Sequence, residues 1–487
     1  MMLNNESFGA RITQFDRRLT AVLLGVLLGI LGGLIGLGVV LLGPVLMIGG
    51  VLGLLAGLYI LTDLQAALYG VLAVIGLLPF GTLPFKIGLT PTFLDITLGA
   101  FLMVYLFQWM TGRRRLFQMT PVHGMVIAFA LVMLASFIMG LGHAPLTSNV
   151  LRQFAEMLLS IAMAFVLVDA IRDEGTLRRV MFLLVLVGGM TALIGLILYV
   201  LPDLTAEGLL VRLARFGYPN GGVIRYVEDN PALAERAIGL WVDPNAFGGV
   251  LAVLGALVAP QIFAPGPVGG RRWLLAIVFG LIALCIYLTF SRGAMLALGV
   301  ALAFMAVMRY RRLLWGMLLG SALLLLLPVT QDYVARFVEG FQAADLATQM
   351  RIGEITDALR LIGRYPVFGV GFAGTPERDI YLGVANLYLT MASNIGLIGL
   401  GVFLAMVAAL FAYGLRAWQR AGRPARLEPL WLGTHAGIVA ALAAGLFDHY
   451  FFKLEFQASV TLFWLVFGLA MTVSHLWLAA APDPEPE

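Results

Sequence analysis

The chain has little charge, a single cysteine and few histidines, and each shortage removes a class of function. Charged residues are 12% of 487 positions and apolar ones 61%, so a soluble core is not in question and the protein reads as a polytopic helical membrane protein. The lone Cys285 lies inside an apolar run, which excludes an intrachain disulfide and any cysteine-based metal site. No cluster of Asp, Glu or His with metal-ligand character stands out between the apolar runs, so neither a metal nor a cofactor is expected. The first 18 residues are polar with three arginines, and no small-residue cleavage pattern follows the first apolar run, so that run is expected to stay as an anchor.

What is present is a series of long apolar runs. Windows of about 20 residues place spans near 20–42, 44–62, 64–80, 93–111, 121–141, 150–170 and 179–201, then 239–263, 273–290, 293–309, 313–329, 385–414, 429–447 and 456–478. The expected fold is therefore all-α, a single integral membrane domain over 1–487 with about 14 transmembrane helices. With both termini cytoplasmic, the inner segments hold 18 of the 31 Lys and Arg, and the outer short loops hold only Lys86, Arg152, Arg292 and Lys453. That asymmetry orients the chain by the positive-inside rule. The first hairpin is expected to turn at Gly43 and Pro44.

The remaining nine basic residues, all arginine, fall in two long segments, 202–238 and 330–384, which this topology places outside. Loops longer than about 15 residues between compact spans are usually functional or disordered. Within the second, Ile352, Ile355, Leu359 and Ile362 recur at three and four residues, which predicts an amphipathic helix on the outer membrane surface, ended by Pro366. Its apolar stripe should rest on the bilayer or on neighbouring spans, with Arg351 and Arg360 turned toward a site. Next comes YPVFGVGFAG, where Gly369 and Gly371 allow a tight turn whose amides could face an anion.

Two polar interruptions of apolar sequence carry chemical weight. In LTFSRGAMLAL, Ser291 and Arg292 break a run of 36 residues from Trp273 to Met308, so two spans meet at a membrane surface with almost no loop. A guanidinium there is explained by a bound anion, or by snorkelling to lipid headgroups. In ERAIGLWVDPNAFGG, Arg236 precedes a span, and Asp243, Pro244 and Asn245 sit at its outer end. Asp243 and Pro244 suit a helix start, which leaves Arg236 to face a site.

These motifs, followed in order by MRIGEITDALRLIGRYPVFGVGFAG, ANLYLTMASNIGLIGL and DHYFFKLEF, resemble the O-antigen ligase and polymerase superfamily of bacterial membrane glycosyltransferases. The resemblance covers about residues 225–475. It implies transfer of a glycan from an undecaprenyl-diphosphate carrier to an acceptor hydroxyl at the outer face of the cytoplasmic membrane, and the lack of an Asp, Glu or His cluster in the outer segments makes a metal-independent mechanism the natural reading. Arg236 and Arg292 match arginines thought to hold the diphosphate, and guanidinium groups suit that task because they pair bidentately with phosphate and stay charged. The implied partners are an undecaprenyl-diphosphate-linked glycan donor, a glycan or lipid acceptor, membrane lipids and, for a polymerase, a chain-length regulator; no nucleic acid is expected.

One departure concerns the acceptor side. Family ligases carry a His-Asn pair at the start of the span after the long loop, and here it reads Ala385-Asn386. Candidate replacements for the histidine are His449, which follows Asp448, and Glu354 in the loop helix. The candidate catalytic set is therefore Arg236, Arg292, His449 and Glu354. Arg351, Arg360, Asp243, Asn245 and Asn386 are the candidate substrate-binding residues. Ligase and polymerase remain open, since the Arg360 to Gly371 spacing arises too easily by chance in so glycine-rich a chain. A lipid-linked oligosaccharide flippase and a peptidoglycan-type polymerase are the alternatives, the first disfavoured by wholly apolar spans such as 313–329.

Overall fold

The computed structural model describes residues 17–83, 90–326, 331, 346–375, 383–420 and 424–480. The polar first 16 residues and Lys86 lie outside them. So do 330, 332–345 and 376–382 of the segment expected outside, with Arg336 and Arg378.

The chain divides into two compact units, Met1–Asp63 and Leu64–Glu487. The first holds α1 (Arg17–Leu42) and α2 (Pro44–Ile60), separated at Gly43, whose φ of 84° suits glycine, with Pro44 opening the second helix. The break falls where the sequence places it.

The second unit begins with α3 (Leu64–Leu77), α4 (Phe93–Met110), α5 (Val122–Gly140), α6 (Ser148–Ala170) and α7 (Glu174–Val200). It continues with α8 (Asp203–Val211), a two-stranded hairpin of β1 (Arg225–Tyr226) and β2 (Glu235–Arg236), α9 (Pro244–Phe263), α10 (Arg272–Leu288) and α11 (Arg292–Met308). Then come α12 (Arg311–Leu326), α13 (Leu346–Arg364), α14 (Leu387–Gln419), α15 (Glu428–Ala444) and α16 (Gln457–Ala479). Seven described helices are long and apolar enough to cross a membrane: α4, α5, α6, α7, α9, α14 and α16. Four shorter apolar helices lie at Met47–Ile60, Leu64–Leu77, Arg272–Leu288 and Arg292–Met308.

Helix ends are set by side chains that satisfy the first free amides. Thr92 and Asp95 form a capping box on α4, Asp243 caps α9 and Ser291 caps α11. The span expected from 239 therefore begins as a helix only at Pro244, because 239–241 form a 3-10 turn before the Asp243 cap. Helix α9 sits at the centre, packed against α10, α11 and α15, with 89% of its apolar window buried. Arg152, expected in a short outer loop, lies in the first turns of α6 and pairs with Asp95 at 2.8 Å and Glu156 at 3.1 Å.

Helix α14 is broken at Gly396, which has φ 71° and ψ 177°. The segment after α13 is threaded into the break. Val370 N donates to Ser393 O (2.8 Å), Gly371 N to Asn394 O (2.9 Å) and Leu397 N to Pro366 O (2.8 Å), so the carbonyls and amides freed by the break are satisfied. Ser136 of α5 lies within hydrogen-bonding distance of the Phe368 and Asn394 carbonyls, at 2.8 and 2.7 Å. A Cβ at position 396 would collide with the Val367 carbonyl and would sit at a positive φ. We expect Gly396→Ala to lower stability by about 2 kcal/mol or more, read as a fall in the thermal unfolding midpoint in detergent. An unchanged midpoint would mean that the break is not held as described.

Candidate active site

The hairpin delivers Arg236. Strand β2 pairs antiparallel with β1, and the Ala237 amide that follows donates to Leu288 O at 2.8 Å, tying the hairpin to the turn between α10 and α11. Arg236 Nε donates to Thr289 O at 2.8 Å, and its Nη2 donates to Asn245 Oδ1 at 2.8 Å. Asn245 also lies near the Asp448 carboxylate. Asp243 Oδ1 accepts from Ala246 N at 2.7 Å as the α9 cap. Burial raises the Asp243 pKa and the nearby Asp448 raises it further, while Arg236 opposes both.

Arg292 is the first residue of α11 and is half-buried. The turn that carries it touches both sides of the cluster: Thr289 meets Arg236, and Gly293 packs closely on Phe447, the neighbour of Asp448. Val242 and Phe290, directly before the caps Asp243 and Ser291, hold positive φ of 61° and 52°. A β-branched residue in that region is a genuine outlier. Strain of this kind persists only where surrounding structure fixes it, and it collects at functional sites.

The other wall comes from the segment between α15 and α16 and from α13. The Asp448 and His449 side chains are only 15% and 13% exposed, with His449 Nδ1 and Asp448 Oδ1 3.3 Å apart. Burial raises the Asp448 pKa, against the hydrogen bond from the His449 amide and the fields of Arg351 and Lys453. Burial, helped by Lys453, pushes the His449 imidazole down to about 4, so it is neutral at physiological pH. Glu354 Oε2 accepts from the Ala385 amide at 3.0 Å. Its pKa is raised by burial, while the Ala385 amide and Arg351 pull it back. Helix α13 thus turns Arg351 and Glu354 inward with buried Ala358 and Leu361, and leaves Ile352, Ile355 and Leu359 exposed at 52%, 38% and 55%. The apolar stripe faces away from the protein rather than onto neighbouring spans.

Of the expected site residues, Arg236, Asp243, Asn245, His449, Glu354 and Arg351 are brought together, and Arg292 is carried on the adjoining turn. Arg360 is not. It is 63% exposed and paired with Asp357 at 3.2 Å. Asn386 caps α14, its Oδ1 accepting from the Tyr388 and Leu389 amides and its Nδ2 donating to Leu446 O at 3.0 Å. The turn at Gly369 and Gly371 does not offer its amides to an anion, because those of residues 369, 370 and 371 donate to Tyr365, Ser393 and Asn394 carbonyls. Its glycines serve close approach instead, since a Cβ at 371 would collide with the Gly140 backbone. His143 has Nδ1 3.0 Å from Val370 O and supports the same segment.

Asp448 and Lys453 are the residues that the candidate set left out. An acid beside a histidine at the edge of an apolar run was the available signal for Asp448, since burying such a group is costly without partners. Lys453 carried no comparable signal. Among the described residues, no group of three or more His, Cys, Asp or Glu is placed to hold a metal ion.

Residues 277–404 match the family model described as O-antigen ligase. That stretch takes in the α10–α11 turn with Arg292, the inward face of α13 and the broken first part of α14; it ends before Asp448. A protein from Salmonella muenchen described as an O-antigen polymerase is 26% identical over 189 residues, covering 36% of this chain and 46% of that protein. The matched part is thus less than half the relative's length. Both findings support the O-antigen ligase and polymerase superfamily.

Proposed function

We propose that this cluster transfers a glycan from an undecaprenyl-diphosphate carrier to an acceptor hydroxyl at the outer face of the cytoplasmic membrane, in a chain that crosses that membrane about 14 times with both termini inside. The observation that carries this reading is the meeting of Arg236, Asn245, Asp448, Arg351 and Glu354 at the turn bearing Arg292. Guanidinium groups on one wall suit a diphosphate, and carboxylates on the other suit a hydroxyl proton.

In the reaction so read, the acceptor oxygen bonds to the anomeric carbon and the anomeric carbon–oxygen bond to the diphosphate breaks. The bonding pair leaves with the diphosphate, where Arg236 and Arg292 stabilise the growing charge. The acceptor proton passes to Glu354 or Asp448, which stand where Ala385 supplies no imidazole. The exposed stripe of α13 faces lipid, and the long polyprenyl tail enters beside it from the membrane.

The test is to incubate purified protein with an undecaprenyl-diphosphate-linked glycan and resolve products by mass. A ladder of repeats identifies a polymerase, and one added glycan on a different acceptor identifies a ligase. Carrier movement across a vesicle without bond formation would identify a flippase and overturn the reading.

A further inference from the structure

Strand β1 pairs with β2 so that Arg225 stands directly opposite Arg236, and Tyr226 directly opposite Glu235. Residues opposite each other on an antiparallel ladder send their side chains to the same face, with Cβ atoms about 5 Å apart. The hairpin therefore has an arginine face and a Tyr-Glu face. The second is turned to α8, since Tyr226 OH donates to the carboxylate of Asp203 at the start of that helix. The first is turned to the candidate site, since Arg236 reaches Thr289 O and Asn245 Oδ1. We propose that Arg225 is a third guanidinium of the donor wall and binds an anionic oxygen group of the lipid-linked substrate beside Arg236. The inference rests on reading the cluster as the transfer site.

Like charges directly opposite on a ladder repel, so two arginines in register are costly by themselves. A bound anion reverses the sign. An anion lying against both side chains meets two positive fields and accepts hydrogen bonds from two planar forks. The spacing of the pair is fixed from the base of the hairpin. Two residues before Arg225 and two after Arg236, Val223 and Ile238 are 1% and 3% exposed in one apolar cluster with Leu198, Ala206 and Leu210. Both strands thus leave the same small core, and the arginines stand one step beyond it. The two are not equivalent. Arg236 is half-buried and bonded to the turn between α10 and α11, whereas Arg225 is exposed, and among the described residues no hydrogen bond or ion pair holds its guanidinium. Arg225 can therefore turn to a ligand without breaking a contact. The group it takes is a phosphate of the carrier or the carboxylate of an acidic sugar linked to it, since both present anionic oxygens to the same fork.

The test uses the full chain in detergent. Binding of undecaprenyl diphosphate, and of the same carrier bearing a neutral or an acidic sugar, is measured for wild type, Arg225→Ala, Arg225→Lys and Arg236→Lys, together with KM and kcat for transfer. Arg225→Ala should weaken binding about tenfold, the lower scale of a hydrogen bond to a charged group, and should raise KM more than it lowers kcat. Arg225→Lys should recover part of that loss, because it keeps the sign without the fork. Added salt should narrow the gap between wild type and Arg225→Ala, since an exposed charge is screened. Weaker binding of all three ligands assigns the contact to the carrier phosphates, and weaker binding of the acidic-sugar ligand alone assigns it to the glycan.

Because Arg225 is exposed, its replacement should leave the unfolding midpoint in place; Arg225→Gln, which keeps much of the side-chain length, carries the test if the alanine protein does not fold. Wild-type affinity for all three ligands and an unchanged KM in Arg225→Ala overturn the proposal. So does a loss of binding that comes with a lowered midpoint and does not narrow in salt, which is the signature of a loosened hairpin. If Arg236→Lys loses transfer while the Arg225 variants are normal, the role of Arg225 alone fails. If wild-type protein neither binds undecaprenyl diphosphate nor transfers glycan, the functional reading fails and takes the role of Arg225 with it.

Discussion

Arg236→Lys and Arg292→Lys should each leave expression and fold intact and lower glycan transfer by about a hundredfold or more, the scale seen when one donor to a developing oxyanion is removed. Lysine keeps the charge but not the planar fork, and two features make the fork matter here. Arg236 uses Nε and Nη2 in different directions, to Thr289 O and Asn245 Oδ1, which a single ammonium cannot reproduce. Arg292 opens α11 on a turn whose Phe290 is held at φ 52°, so its direction is set by the backbone. Mass-resolved transfer assays on the purified variants decide the matter. Near-normal turnover in both would remove the donor-site assignment.

The second large effect is expected at Glu354. Its carboxylate accepts from the amide of Ala385, the position at which related ligases place a histidine. If it takes the acceptor proton, Glu354→Gln should lower kcat by about a hundredfold, the lower end of general-base contributions, while donor binding persists. The pH sign follows from its raised pKa. The working form is the carboxylate, so the wild-type rate falls as pH falls through the raised pKa, and Glu354→Gln should flatten that limb. His449 is separable, because its imidazole titrates near 4 and would place the limb there. A normal rate and an unmoved limb in Glu354→Gln would pass the role to Asp448.

The parts of this molecule governed by hydropathy were legible in the sequence. The 36-residue run divides at Ser291 and Arg292 into α10 and α11, and a helix occupies the stretch marked by Ile352, Ile355, Leu359 and Ile362. Local rules set these features, since a helix needs a minimum apolar length and a surface helix shows one apolar face. The site depends on contacts between distant segments, and such contacts leave little local trace. Nothing near Glu354 states that it meets Ala385, and nothing near Asp243 states that Asp448 lies close to it. The anion-binding reading of Gly369 and Gly371 failed for the same reason, because the partners of those amides lie in the break of α14.

Arg360 is different. It stands nine residues after Arg351, which on a helix of 3.6 residues per turn is the opposite face. Arg351, Glu354, Ala358 and Leu361 share the inward face by their spacing, so the error was visible in the periodicity itself.

The most direct measurement is a structure of the full chain in a lipid nanodisc with undecaprenyl diphosphate bound. The account predicts the diphosphate between Arg236 and Arg292, with the polyprenyl tail leaving beside the exposed Ile352, Ile355 and Leu359 face of α13. A diphosphate bound elsewhere, or bound with neither arginine within hydrogen-bonding distance, would contradict it.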